Sequence, residues 1–150
     1  MEIYGLPLHA ALAIGAAVLA PVGCLVSLWY SVRPDHRARW RFPMMIGATL
    51  ATAAILGAFV SGDRMLAQNP ELAADPMVFA HQEYAGRLVL PTIGFFVIAT
   101  LTGWLNPRTG ALRLALPMLL AGFALVVLVL VVLSGDADAR SLWGELRAQF

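Results

Sequence analysis

Residues 31–41 read SVRPDHRARWR, and the rest of the chain is organised around them. Four of the ten cationic residues, Arg33, Arg37, Arg39 and Arg41, fall in this short stretch beside one acid, Asp35, and a long apolar run stands on each side. A short basic loop between two membrane-crossing segments is retained on the cytoplasmic side during insertion, whereas short acidic loops cross readily. The stretch therefore predicts that both flanking runs are transmembrane helices and that they meet at the cytoplasmic face.

Composition points the same way. The chain is 60% hydrophobic and 13% charged, with a mean hydropathy of +0.77; soluble domains sit near roughly 45–50% apolar. Its 150 residues accommodate about four spans of roughly 20 residues with short connections, hence one transmembrane domain. Cys24 is the only cysteine, which excludes an intrachain disulfide and a paired-thiolate metal site. The N-terminal flank MEIYG carries Glu2 and no cation, so the first apolar run does not read as a cleaved signal peptide and the N-terminus is expected outside.

Working outward from the basic loop, the first span is expected over residues 8–30, with Pro7 before it and Pro21 at its middle, and the second over residues 42–60. The second span is rich in small residues (Gly47, Ala51, Ala54, Gly57 and Ala58), and Ala13, Ala16, Ala17 and Ala20 give the first a similar face, so the two are expected to pack closely. Asn69-Pro70 is a turn signal, and Asp75-Pro76 reads as an N-cap followed by proline at the first helical position. The third helix then starts outside at Pro76, projects about two turns, crosses the membrane over residues 88–105 and bends at Pro91. The fourth span is expected over residues 114–134. Ala139, Leu142, Trp143, Leu146 and Phe150 recur at helical spacing and predict an amphipathic tail helix over residues 139–150, lying on the outer interface.

Charge segregates as this topology requires. The inner loops hold Arg33, Arg37, Arg39, Arg41, Arg108 and Arg113 against Asp35; the outer segments hold Arg64, Arg87, Arg140 and Arg147 against eight acids. Trp29, Trp40 and Trp104 mark the inner interface. The expected fold is all-α: an integral membrane, up-down-up-down four-helix bundle in the plasma membrane, both termini outside, with a small exoplasmic helical cap. The expected partners are the lipid bilayer and a homo-oligomer or larger membrane complex, not nucleic acid.

The spans themselves carry little chemistry. Residues 10–29, 43–60, 89–104 and 115–134 contain no Asp, Glu, His, Lys or Arg. Pumps, proton-coupled carriers and voltage sensors place ionisable groups at such depths, and this chain is disfavoured as any of them. No Walker, H-E-x-x-H or G-x-S-x-G motif occurs. The remaining candidates lie at the outer helix ends: His9 one turn into the first span, Asp63 just past the second, His81 in the second turn of the third helix and Asp136 just past the fourth. In an up-down-up-down bundle these ends meet at one level. Two imidazoles and two carboxylates could ligate zinc, manganese or iron, or His9 and His81 could ligate a b-type haem iron axially. The competing reading makes each a polar residue that ends a span, with no cofactor. His36, within the basic loop, reads as a solvated residue.

The residues MEIYGLPLHAALAIGAAVLAPVGCL, the SGD after the second span, HQEYAGRL before the third and GDADARSLWG after the fourth resemble the small four-span bacterial membrane proteins of domain-of-unknown-function family 2231, particularly the actinobacterial type. The resemblance covers nearly the whole chain. It implies a four-helix plasma-membrane protein whose activity is not established, and the outer-side histidines of the family make a haem or redox role plausible. His9 and His81 match that pattern, whereas Ile14 and Asp136 stand where members typically carry further histidines. The function expected is therefore a non-catalytic scaffold or accessory subunit. The alternatives are a b-type haem or metal-binding redox protein and, third, a small-solute channel or exporter subunit.

Overall fold

The computed structural model describes residues 2–3, 6–106 and 109–148. Four long helices dominate it: α1 (Leu8–Val32), α2 (Arg37–Gln68), α4 (Pro76–Leu105) and α5 (Leu112–Ala148), with the single turn α3 (Pro70–Ala73) between α2 and α4. All four are long and apolar enough to cross a membrane, and the chain is a multi-pass membrane protein. Ahead of α1, Glu2–Ile3 pairs antiparallel with Leu6–Pro7, Glu2 opposite Pro7 and Ile3 opposite Leu6.

The connections are short because the chain signals its turns strongly. Pro34–His36 form one 3-10 turn that ends α1 and starts α2. Asn69 closes α2, its backbone N–H donating to the Met65 and Leu66 carbonyls and its side-chain amide to Met65 O at 2.9 Å. Asn106 ends α4 in the left-handed region (φ 37), a conformation asparagine tolerates better than most residues. Connections this short force neighbouring helices to run antiparallel. The helices close into a ring: α1 packs on α2 and α5, and α4 packs on α5 and α2.

Three glycines set the closest approaches. A Cβ on Gly23 would stand 2.6 Å from the Gly47 carbonyl oxygen and 3.0 Å from the Ala51 Cβ, so α1 and α2 touch backbone to backbone there. Gly94 of α4 accommodates the Phe123 ring of α5, and Gly103 accommodates the Met45 side chain of α2. The buried core follows these contacts, from Ala20 and Cys24 through Met44, Ala51 and Phe95 to Leu120 and Val127. Outside it, Val18, Val22 and Leu25 on α1 and Leu125, Val129 and Val132 on α5 are exposed, as helix faces turned to lipid must be.

Two expectations change. The predicted interfacial tail helix over residues 139–150 does not start anew: α5 passes through Gly135 and continues to Ala148 as one helix. A lone glycine costs only about 1 kcal/mol in a helix interior, and no proline follows Pro117 to stop the helix. The side chains that form the tail's apolar stripe lie outside the described residues. Second, the small-residue face of α1 is used unequally. Ala20 and Gly23 pack against neighbours, whereas Ala13, Ala16 and Ala17 border a cavity.

Candidate functional site

The two ends of the bundle differ. At the end carrying the 31–41 loop, the arginine end, Arg37 is a structural latch. Its guanidinium donates to the Tyr30 carbonyl (3.4 Å), the Ser31 carbonyl (2.9 Å) and the Arg113 carbonyl (2.9 Å), tying the last turn of α1 to the start of α5. Tyr30 is buried and its hydroxyl donates to Asn106 Oδ1 at 3.4 Å, adding the end of α4. The other arginines of the loop have different partners. Arg33 lies over the Trp29 ring and Arg41 over the Phe42 ring, and Arg39 is exposed.

At the opposite end, the histidine end, α1, α2, α4 and α5 line a half-open cavity of about 490 Å³, within the range of roughly 300–1,000 Å³ typical of small-molecule and cofactor sites. Its walls are small and apolar: Ala10, Ala13, Ala16 and Ala17 from α1, Ala58 and Phe59 from α2, Ala85 from α4 and Val131 from α5. Ile55 and Leu88, both buried, also line it. The prolines Pro21 and Pro91 lie just beyond this level, each removing one backbone donor from its helix, where the closely packed half gives way to the open one.

Both candidate histidines line this cavity. His9 Nδ1 lies 3.0 Å from the Ala58 carbonyl oxygen and 3.3 Å from Ser61 Oγ on α2. His81 Nδ1 lies 3.3 Å from the Ser134 carbonyl oxygen and 3.4 Å from Ser134 Oγ on α5. A carbonyl oxygen can only accept, so the neutral form of each ring carries its proton on Nδ1 and its lone pair on Nε2. Among the described residues neither Nε2 has a hydrogen-bond partner. This is the arrangement a metal-binding histidine uses, in which the remote nitrogen donates to a backbone carbonyl and so fixes the tautomer and the ring orientation. Gly62 makes room for it: a Cβ there would stand 2.8 Å from His9 Cε1.

Three of the four predicted residues, His9, Asp63 and His81, line the cavity. Asp63 borders the cavity as an exposed residue; Asp136, also exposed, is not among the residues lining it. Among the described residues, no group of three or more His, Cys, Asp or Glu side chains is placed to hold a metal ion. Among the described residues, a centre built only from protein ligands therefore lacks a ligand set. A group that brings most of its own ligands and needs one or two nitrogens does not. The residues that sequence reasoning missed are Ser61, Gly62, Gln82 and Ser134. The signal for three of them was present, because the tripeptide Ser-Gly-Asp occurs twice, at residues 61–63 and 134–136, each time beside a histidine in the fold.

Comparison with protein-family models, curated proteins and solved structures yields no match to this chain.

Proposed function

We propose that this is a non-catalytic, accessory plasma-membrane protein that holds a b-type haem in the cavity at the histidine end, with His9 and His81 as the nitrogen donors. The observation that carries the reading is that two imidazoles border one apolar cavity, each held at Nδ1 and, among the described residues, each unbonded at Nε2. The donor set suits haem because the porphyrin supplies four of the six positions around iron and the protein needs to add only imidazole. Ala-rich walls suit the apolar face of the ring. When bound, haem b supplies a one-electron ferric/ferrous couple. The chain's part is to orient the two imidazoles through Ala58, Ser61 and Ser134 and to exclude water from the ring. The segregation of arginines supports an arginine end in the cytoplasm and, with it, a histidine end outside. This is also what the resemblance to family 2231 implies.

The second reading is a scaffold without a cofactor, favoured by spans free of acidic, basic and histidine side chains and by the glycine contact between α1 and α2. Oxidised and dithionite-reduced absorption spectra separate the two. The expected result for protein expressed with haem available and purified in mild detergent is a Soret band with sharp α and β bands on reduction, lost in the double variant His9→Ala/His81→Ala. A featureless spectrum from folded protein overturns the haem reading and leaves the scaffold.

A further inference from the structure

The two histidines are placed by one device that occurs twice in the chain. His9 and Ser61 are 52 residues apart, and His81 and Ser134 are 53 apart. Each serine opens a Ser-Gly-Asp tripeptide, and each places its hydroxyl oxygen within 3.4 Å of the Nδ1 of the histidine on the preceding long helix. Other landmarks recur in step. Pro21 and Pro91 follow the two histidines by 12 and 10 residues, and Pro43 and Pro117 precede the two serines by 18 and 17.

The packing repeats as well. The pair α1 and α2 forms one hairpin, the pair α4 and α5 another, and between them α1 touches α5 while α2 touches α4. Exchanging α1 with α4 and α2 with α5 leaves that pattern unchanged. Both α1 and α4 run from the histidine end to the arginine end, so the axis that relates the hairpins lies along the helices. Repeats related by an axis along the membrane normal place a shared site at the interface between halves, and the cavity here draws its lining from all four helices.

We propose that the chain is an internally duplicated helical hairpin, residues 8–68 and 76–136, and that the cavity's ligand sits on the pseudo-two-fold axis with one Nε2 from each half bound on opposite faces. This rests on the haem reading above and adds to it a coordination number and an equivalence. The ligand class is a planar metal macrocycle open on both faces: its ring supplies the donors that two single nitrogens cannot, and a two-fold pair matches its two open positions. The duplication has diverged in detail. Gly62 is close against His9, whereas nothing lies near Gly135, and His9 bonds the carbonyl three residues before its serine where His81 bonds the serine's own carbonyl. What is shared is the ligand role.

The test is the spin state of haem in the full-length protein, read by absorption and electron paramagnetic resonance. Wild type is expected to be six-coordinate and low-spin. His9→Ala and His81→Ala are each expected to leave high-spin haem with at least tenfold weaker retention, and imidazole added to the buffer is expected to restore the low-spin signal in both. That rescue separates loss of a ligand from loss of the fold, and a variant that does not fold is replaced by His→Gly at the same position with imidazole supplied throughout. High-spin haem in wild type overturns the proposal. So does one variant that stays low-spin with full retention while the other loses haem. In both cases the Soret band remains and the haem reading stands, whereas a featureless wild-type spectrum removes the haem reading and this coordination together.

Discussion

The arginine half and the histidine half of the bundle are built from the same small residues and come out opposite. At Gly23, Gly47 and Ala51 the α1 and α2 backbones are in contact, and Arg37 and Tyr30 cross-link four helix ends at that side of the membrane. About 9 to 20 Å from Gly23, by a rise of 1.5 Å per residue, Ala17, Ala13 and Ala10 on the same helix border open space. A small side chain permits close approach but does not cause it. In lipid there is no water to expel from between helices, so approach is driven by packing and hydrogen bonds, and small residues that meet no partner leave a void. The closed half has glycine facing glycine and a latch; the open half has a cavity lined by alanines and two histidine rings, with a proline just beyond it on α1 and on α4.

The sharpest way to break the comparison is to put volume at the closed end. Gly23→Leu places side-chain atoms against the Gly47 carbonyl, a backbone atom that moves only if α2 moves. Overpacking of this kind costs about 1–3 kcal/mol and more where backbone must shift, so a loss of about 3 kcal/mol is expected in an unfolding titration in mild detergent. Unchanged stability would show that the two helices are not locked there.

The latch comes next. Arg37→Ala removes guanidinium bonds to the Tyr30, Ser31 and Arg113 carbonyls, and a hydrogen bond with a charged partner contributes about 1.5–3 kcal/mol when well protected. Because Arg37 is only half-buried and solvent shares the work, a loss of about 1–2 kcal/mol is expected. The exposed Arg39→Ala should stay within about 0.5 kcal/mol of wild type. Equal effects at the two positions would mean that the loop is held by charge alone.

The smallest effect, and opposite in sign, is expected at the open end. Ala13→Leu adds apolar volume to the cavity and should raise stability by about 1 kcal/mol, the usual yield of filling a void, while reducing haem retention. A destabilised variant would show that the walls cannot take a larger side chain, and full haem retention would place the ligand elsewhere.

Particular residues show where sequence reasoning reached and where it stopped. His9 and His81 stood out as the polar residues at two helix ends, because an imidazole beside an apolar run is conspicuous in one dimension. That Asp63 borders the cavity and Asp136 does not was not visible, since both follow Ser-Gly at a span end and differ only in how their helices lie. The four arginines of the loop looked alike. Only the fold brings the Arg113 carbonyl, 76 residues away, within 2.9 Å of Arg37 and of none of the others. The tail looked like a separate helix because its amphipathic period changes after Gly135, yet backbone continuity, not side-chain pattern, decides where a helix ends.

The sequence by itself determined that the chain is helical, that four segments are apolar enough to cross a membrane, and which polar residues gather at which helix ends. Those properties depend on composition and spacing within single segments, where the need to satisfy every backbone donor in lipid leaves only the helix for these segments. Only the packing of the helices fixes which small residues close an interface and which border a cavity, which arginine becomes a latch, and which nitrogen of each imidazole is held by a hydrogen bond. Each of those depends on where a backbone carbonyl or a glycine of another helix lies, 24 to 76 residues along the chain, and no local pattern encodes that distance.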